Sequence, residues 1–246
     1  MEKALPPKAE PGGGSDEKLR AVDGMLLIDK PAGMTSHDVV AIARRAYGER
    51  SIGHLGTLDP FATGLLVLLL GRTTRLANFL EAEPKVYDAT IAFGTETDTD
   101  DSTGKVVRSA PLPSRESVRK GIEGLTGEIP QIPPDYSAKS VDGTRAYAAA
   151  RKGKPIDQRP VTVTVRDWQV QQQTEAGLRA TITCNGGTYI RALARDLGRA
   201  TGSAAHLAAL RRLRMGSLDV GDAMTLDELK LGSVPPRRLR VTVSDD

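Results

Sequence analysis

The chain has 246 residues, of which 39% are apolar and 26% charged, and its formal net charge is +3 at pH 7. This length and apolar content allow a substantial hydrophobic core and exclude a wholly disordered chain. The longest unbroken apolar run, Leu65 to Leu70, is far shorter than the roughly 20 residues that span a bilayer, and the single cysteine excludes an internal disulfide, which fits a reducing cytoplasm.

The N-terminal region is predicted to contain a tail, a strand and a capped helix. Residues 1–21 are rich in Pro, Gly and charge and lack the apolar segment of a secretory signal, so we interpret them as a disordered tail. The apolar stretch Gly24–Lys30 predicts a strand that ends in a turn. Thr35 or Ser36 is placed to cap a helix, and the last turn of this helix carries two arginines, which complement the helix dipole.

The remaining segments alternate between strand and helix patterns without a regular βαβ rhythm. In chain order we predict a Gly-rich turn at 53–64, a strand at 65–70, a helix at 73–83, a strand at 85–95, a solvated acidic loop at 96–104, a strand at 105–108, helices at 114–125 and about 144–152, paired strands at 162–172 and 178–184, helices at 188–201 and 225–229, and a basic extended tail. This mixture predicts an α+β fold with a mixed, mainly antiparallel sheet and flanking helices.

The turn at 53–64 presents a single carboxylate, Asp59. Pro60 disfavours the helical region for the residue before it and has no N–H, so Asp59 is expected to be extended, with its carboxylate projecting from the turn. The three glycines of the turn permit a positive φ or a close backbone approach. An aspartate in a Gly- and Thr-rich turn is more often a structural Asx-turn or cap, so composition alone leaves both interpretations open.

Arginines dominate the segment from Arg191 to Arg214, which holds six of them and a single acid. Arg191, Arg195 and Arg199 are spaced at i, i+4 and i+8 and share one face of the predicted helix. Arginine suits bidentate contact with carboxylate or phosphate, and such clustering is expected for a polyanionic partner. A solvated helix face is the alternative, and the spacing does not separate the two.

Metal chemistry is not predicted, whereas two tyrosines suggest base stacking. The histidines are too scattered to form a metal site by spacing, and the acidic loop fails as an EF-hand because position twelve would be Ser109. Tyr87 and Tyr189 stand close to Lys85 and Arg191 in the sequence, and a ring beside a cation suits stacking on an unpaired base. Core or rim packing is nevertheless the commoner role of such a tyrosine.

Several long motifs, taken in order, resemble the bacterial tRNA pseudouridine-55 synthase family across residues 24–229. The motifs are Leu27–Ser36 (LIDKPAGMTS), Gly53–Leu66 (GHLGTLDPFATGLL), Lys85–Tyr87 with Gly94 and Thr97–Asp100, Gln131–Lys139 (QIPPDYSAK), Ala146–Gly153, Gly187–Arg191 (GTYIR) and His206–Arg212. The resemblance implies the pseudouridine synthase fold. It also implies isomerisation of the T-loop uridine (position 55) of tRNA, with cleavage of the C1′–N1 bond, rejoining through C5, and neither metal nor cofactor.

By the motif match, the resemblance implies four catalytic residues. Asp59 would be the essential aspartate, acting as nucleophile or proton shuttle, and Arg191 would pair with it and hold it ionised. Tyr87 would stack on the flipped uracil, and Tyr189 would support the pocket or abstract a proton. Substrate contacts are implied for six further positions: His54, Lys30, Lys85, Arg151, Arg211 and Arg212. His54 would fill the space left in the T loop when bases flip out.

The resemblance ends near Leu229. Family members typically continue into a small RNA-binding (PUA-like) domain, for which the 17 residues from Lys230 to Asp246 are too few, so we expect a catalytic domain at 22–230 and a basic tail at 231–246. The implied partner is the T arm of tRNA, bound by a cytoplasmic monomer with no membrane contact and no obligatory protein partner. Two alternatives stay open: a tRNA-binding or tRNA-folding protein without required catalysis, and a guide-RNA-dependent synthase of the archaeal and eukaryotic kind.

Overall fold

The computed structural model describes residues 22–80, 83–135, 140–141, 144–145 and 158–237. The strands in these residues are β1 (Gly24–Lys30), β2 (Ile52–Leu55), β3 (Thr63–Leu70), β4 (Lys85–Phe93), β5 (Thr95–Thr97), β6 (Val106–Ser109), β7 (Gly127–Gln131), β8 (Ser140–Val141), β9 (Thr144–Arg145), β10 (Val161–Gln173), β11 (Gly177–Cys184), β12 (Ala205–Met215) and β13 (Leu218–Asp219). The helices are α1 (Ser36–Tyr47), α2 (Arg115–Gly124), α3 (Ile190–Ala200) and α4 (Leu226–Leu231), with 3₁₀ helices at Gly71–Phe79 and Val220–Asp222.

One nine-stranded sheet organises the described residues. Its strand order is β1-β3-β12-β4-β11-β10-β7, with β2 added to β3 and β13 added to β12. Of the pairings within this sheet, β3 with β12 is parallel and the others are antiparallel. This confirms the predicted α+β class with a mixed, mainly antiparallel sheet.

The apolar run in β3 is explained by burial on both faces of the sheet. Leu66, Leu68 and Leu70 belong to the main core, whereas the alternate residues at 65, 67 and 69 pack in a second cluster on the opposite face. Successive side chains of a strand point to opposite faces, so a strand covered on both sides needs apolar residues at every position. The position of β3 is therefore strongly constrained, and its first residues lie directly after the loop that holds Asp59.

Capping residues set the ends of helix α1, and apolar residues of helix α3 pack into the core. Thr35 caps α1 in a reciprocal capping box with Asp38, and the helix ends at Gly48 in the left-handed conformation (φ 62°). Helix α3 packs on β12 and β4, and it contributes Leu193 and Leu197 to the main core. None of the helices in the described part of the chain combines the length and apolar character needed to cross a lipid bilayer.

Most of the predicted elements are confirmed, and three differ. The first three residues of the predicted turn at 53–64 belong to strand β2 (Ile52–Leu55). The predicted helix at 73–83 is instead a 3₁₀ helix at Gly71–Phe79. At the start of the predicted helix at 144–152, Thr144–Arg145 form a strand paired with Ser140–Val141, and the rest of that segment lies outside the described residues. The N-terminal tail to residue 21 and the C-terminal residues after 237 also lie outside them.

Candidate active site

Asp59 lies in the loop between β2 and β3, and this loop is anchored on both sides of the carboxylate. The Leu58 N–H donates to the Ser36 hydroxyl at 3.0 Å, and that hydroxyl donates back to the Leu58 carbonyl at 3.2 Å. On the other side, the Pro60 carbonyl accepts a hydrogen bond from the Gly33 N–H at 2.8 Å. The carboxylate between these anchors therefore has a defined position against the start of α1.

Arg191, in the first turn of α3, grips the Asp59 carboxylate with two hydrogen bonds. Its Nε lies 2.9 Å from Oδ2 and its Nη2 lies 2.9 Å from Oδ1. The third nitrogen, Nη1, donates to the Thr99 carbonyl at 3.0 Å and lies 3.8 Å from a carboxylate oxygen of Asp101. The Arg191 side chain is 5% exposed and that of Asp59 is 32% exposed. A buried guanidinium thus fixes the orientation of a carboxylate that solvent and ligand can reach.

A cleft of about 250 Å³ opens beside the carboxylate. This volume is below the range of roughly 300–1,000 Å³ typical of pockets for whole small molecules, and it is large enough to admit the flat ring of one base. Its lining brings together six of the predicted site residues and also includes Leu210, which was not predicted; the six are Asp59, Lys85, Tyr87, Tyr189, Arg191 and Arg212.

The two tyrosines line the cleft from different elements. Tyr87 lies on β4 and is 7% exposed, and burial raises the pKa of its phenol, which therefore stays protonated at neutral pH. Tyr189 is the N-cap residue of α3, directly before the turn that carries Arg191. The sheet thus supplies one ring, while the helix supplies the other ring and the arginine.

Two cationic side chains, Lys85 and Arg212, line the cleft next to Gly56. Arg212 is buried, and its Nε and Nη2 donate to the carbonyls of Leu65 and Gly56 at 2.8 and 2.9 Å. Gly56 has a positive φ of 64°, and a Cβ there would lie 3.3 Å from Arg212 Nη1 and 3.5 Å from Lys85 Nζ. Burial lowers the pKa of Lys85. The missing side chain at Gly56 allows both cations to approach the Asp59 loop.

The arginine face of α3 does not have the predicted surface role. Arg191 and Arg195 are buried, and Arg195 pairs with Asp100 at 2.8 Å; Arg199, further along, pairs with Glu96. The loop at 96–104, predicted to be solvated, supplies these acids, and its Glu96, Asp100 and Asp101 are buried. The buried arginines of α3 and the buried acids of this loop are therefore ion-pair partners, and neither set lies on an open solvated surface.

The remaining predicted substrate contacts lie outside the cleft lining. Lys30 is buried, and its ammonium donates to the carbonyls of Pro31, Met34 and Pro60 at 2.9, 2.8 and 3.4 Å, beneath the Asp59 loop. Arg211 forms a bidentate pair with Asp29 at 2.9 and 2.7 Å.

His54 lies on β2, with its ring 5.3 Å from that of His37 in a T-shaped contact. Burial lowers its pKa below the ordinary value of 6.5, with smaller contributions from His37 and Arg212. Arg151 lies outside the described residues.

Sequence reasoning missed two residues near the cleft: Asp101, which lies beside Arg191, and Gln131, whose side chain hydrogen-bonds to the backbone of Tyr189. Asp101 stands in the loop that we interpreted as solvated, and Gln131 was noticed only as part of a motif. In the described residues no group of three or more His, Cys, Asp or Glu side chains is arranged to hold a metal ion.

Two family models match the chain side by side. Residues 44–190 match the N-terminal domain of the TruB family of pseudouridylate synthases, and residues 191–235 match a C-terminal domain of tRNA pseudouridylate synthase B. The boundary between the two matches falls inside α3, between Ile190 and Arg191, and strands on both sides of it belong to the nine-stranded sheet.

Curated relatives are similar over most of the chain. The tRNA pseudouridine synthase B of Thermobifida fusca is 46% identical over 217 residues, which cover 84% of this chain and 74% of the relative. The protein of the same name from Opitutus terrae is 40% identical over 218 residues, covering 88% of this chain and 90% of the relative.

Solved structures share the fold. A chain in a crystal structure of a Cbf5-Nop10-Gar1 complex superposes with a TM-score of 0.66 at 26% identity, covering 89% of this chain and 61% of that chain. A chain in an H/ACA RNP bound to a substrate RNA containing 2′-deoxyuridine superposes with a TM-score of 0.64 at 23% identity, over 89% and 61% of the two chains. This chain therefore spans less than two thirds of those proteins.

Proposed function

The chain belongs to the TruB family of pseudouridylate synthases, and from that premise we propose that it isomerises the T-loop uridine (position 55) of tRNA to pseudouridine. The observation that carries the proposal is the partly exposed carboxylate of Asp59, held by two hydrogen bonds from Arg191 at the edge of a cleft of about 250 Å³. The curated relatives named tRNA pseudouridine synthase B support the tRNA substrate.

The reaction needs an extruded base, and the cleft fits that need. A uridine inside a folded loop must leave its stack to be reached, at a cost of a few kcal/mol. Stacking on an aromatic side chain returns about 1–3 kcal/mol per base, and we assign this role to Tyr87. The protonated phenol is also a hydrogen-bond donor. The base would thus exchange its stack in the RNA for one in the protein.

Asp59 carries the chemistry in this proposal. The C1′–N1 bond breaks, the uracil reorients while it is held in the cleft, and a C1′–C5 bond forms. The proton on C5 is then lost and N1 gains one, so atoms and electrons balance without an oxidant or reductant. Asp59 acts as nucleophile or proton shuttle during detachment, Arg191 orients it, and Tyr189 supports the base or takes the C5 proton.

The remaining expectations belong to the same proposal. The catalytic domain at 22–230 is supported by the single sheet that runs from β1 to β13. We also propose that the protein acts on the T arm as a monomer in the cytoplasm, without a protein partner. The curated relatives named tRNA pseudouridine synthase B are 40–48% identical to this chain, whereas the chains in the Cbf5 structures are 26% identical. This difference favours the proposal over the guide-RNA alternative.

One experiment tests the proposal directly. An unmodified T-arm hairpin and a full tRNA transcript are incubated with wild-type protein and with Asp59→Asn, and pseudouridine is mapped by position. We expect one converted uridine with wild type and none with Asp59→Asn, which should still bind the RNA. Folded wild-type protein that converts neither RNA overturns the proposal. Conversion by Asp59→Asn above a few per cent of wild type would place the nucleophile elsewhere.

A further inference from the structure

The side-chain amide of Gln131 clamps the backbone of Tyr189. Gln131 is the last residue of β7 and is fully buried, at 0% exposure. Its Nε2 donates to the Tyr189 carbonyl at 3.2 Å, and its Oε1 accepts from the Tyr189 N–H at 2.8 Å. One side chain therefore satisfies both backbone groups of a single residue, as a neighbouring strand would do.

Tyr189 depends on this clamp because of where it stands in the chain. It is the N-cap of α3, with extended backbone (φ −98°, ψ 110°), and its own side chain makes no capping hydrogen bond. The chain before it contains Gly186 and Gly187, the second with φ 82°, and glycines restrain backbone direction little. The Tyr189 carbonyl also accepts the helical hydrogen bond from the Leu193 N–H at 3.1 Å. The backbone contacts of Tyr189 help to set the direction in which its ring enters the cleft, and Gln131 makes two of them.

We propose that Gln131 is a positioning residue for the isomerisation: it holds the ring of Tyr189 at the flipped uracil without touching the substrate itself. Gln131 lies behind Tyr189, outside the cleft lining of the described residues. The inference rests on the proposed function, because it assigns the clamp to a step of that reaction. A displacement of about 1 Å at a reacting group can cost about 10²-fold in rate. Loss of the two hydrogen bonds from Gln131 therefore needs to shift Tyr189 by less than this to lower the rate measurably.

A purely structural role for Gln131 is the competing explanation, and the chain offers a matched control for it. Gln158 also fastens the segment that follows β7, since its Nε2 donates to the Pro134 carbonyl at 3.2 Å. It is buried, at 7% exposure, and the carbonyl to which it donates lies three residues beyond Gln131 in the chain. The same substitution at the two glutamines therefore separates general anchoring of this segment from placement of Tyr189.

The test measures turnover of the T-arm hairpin by Gln131→Met and Gln158→Met. Methionine keeps the length of glutamine but cannot make either backbone bond. We expect Gln131→Met to lower kcat about tenfold with KM within about twofold, and Gln158→Met to leave kcat within about twofold. Gln131→Glu keeps the acceptor for the Tyr189 N–H, so its kcat should fall between those of wild type and Gln131→Met.

A double-mutant cycle decides whether the effect passes through Tyr189. In a Tyr189→Ala background there is no ring to place, so adding Gln131→Met should change kcat by less than about twofold. The same tenfold loss in both backgrounds, or wild-type kcat in Gln131→Met, overturns the inference. If Gln131→Met does not fold, the cycle is run with Gln131→Glu and interpreted in the same way.

Amide hydrogen exchange gives a readout that does not depend on turnover. The Tyr189 N–H should exchange faster in Gln131→Met than in wild type, and Gln158→Met should leave it unchanged. Unchanged exchange in Gln131→Met overturns the clamp whatever the activity. If exchange is faster in Gln131→Met than in wild type but the wild-type protein converts no hairpin, the proposed function is overturned and the clamp is not. The two failures are therefore distinct.

Discussion

Arg191 and Asp59 are 132 residues apart in sequence, and they form a two-pronged ion pair with both N–O distances at 2.9 Å. The pair joins the first turn of α3 to the loop between β2 and β3. Because Arg191 is also bonded to the Thr99 carbonyl, its guanidinium cannot follow the carboxylate if the loop moves. The pair therefore holds the carboxylate in a fixed orientation, as the role proposed for Asp59 requires.

We expect Arg191→Lys to lower kcat about 10²-fold while the protein stays folded. Lysine keeps the positive charge but cannot make two parallel bonds to a carboxylate, and misplacement of a catalytic group costs about this factor. Arg199→Lys is the control, because Arg199 lies on the same helix and pairs with Glu96 instead. Single-turnover rates on the T-arm hairpin give the comparison. Equal losses in both variants would show that α3 is sensitive as a whole and that the Asp59 pair has no special part.

The sequence was sufficient for local structure and for the residues that the motifs carry. Capping and periodicity predict the Thr35 cap, the strand at β4 and the pairing of β10 with β11. Each of these signals is contained within a short stretch of sequence. The motif match also brought Asp59 and Arg191 together correctly. The contacts between distant segments were not accessible in the same way.

The arginine face shows why such contacts were missed. Counted along the sequence, α3 has almost no compensating acid, but Asp100 lies 95 residues before the arginine it pairs with. No local pattern reports a partner at that separation. Gln131 was missed for a related reason, since a buried amide that bonds to backbone has no characteristic spacing and becomes visible only when Tyr189 is placed beside it.

The acid stability of the protein should depend on His54. Burial lowers the pKa of its imidazole below 6.5, so below that pH the folded protein binds fewer protons at this site than the unfolded chain does. The free energy of unfolding should therefore fall as the pH drops from 6.5. Urea unfolding at pH 7.5 and 5.5 should show a smaller loss in His54→Gln than in wild type.

His37→Gln is the companion variant for that measurement. The two rings are 5.3 Å apart, and His37 and Arg212 are the cationic groups that lower the pKa of His54 further. Removing the His37 charge should weaken the acid loss only in part, because burial is the larger cause. Identical pH dependence in wild type and His54→Gln would contradict the prediction.

A side chain at Gly64 should lower the free energy of unfolding. Its φ is 99°, and a Cβ there would lie 2.3 Å from the Arg212 carbonyl oxygen. The strained backbone and the displaced β3–β12 pairing together should cost about 3 kcal/mol in Gly64→Ala. Gly53 belongs to the same turn motif but has open space at its Cβ position, so Gly53→Ala should stay within about 0.5 kcal/mol. Equal unfolding free energies for the two variants would contradict this reading of the glycines.

Arg195, which is buried on α3, should contribute to stability and not to the electrostatic attraction of RNA. Arg195 and Asp100 have side chains 8% and 10% exposed and lie 2.8 Å apart. Burial raises the pKa of Asp100 to about 6, against the opposing effect of Arg195. Arg195→Met leaves that carboxyl buried without its partner, which should cost about 3–5 kcal/mol, and adding Asp100→Asn should recover much of the loss.

The salt dependence of RNA binding separates this role from the surface role suggested by the sequence. A cation that contacts phosphate changes the slope of log K against log salt by about one when it is removed. Since Arg195 already bonds to Asp100, Asp196 and the Ile132 carbonyl, the folded Arg195→Met, Asp100→Asn double variant should keep the wild-type slope. A slope that drops by about one would show that Arg195 leaves its acids to bind the RNA backbone, and the arginine face would then be a binding surface after all.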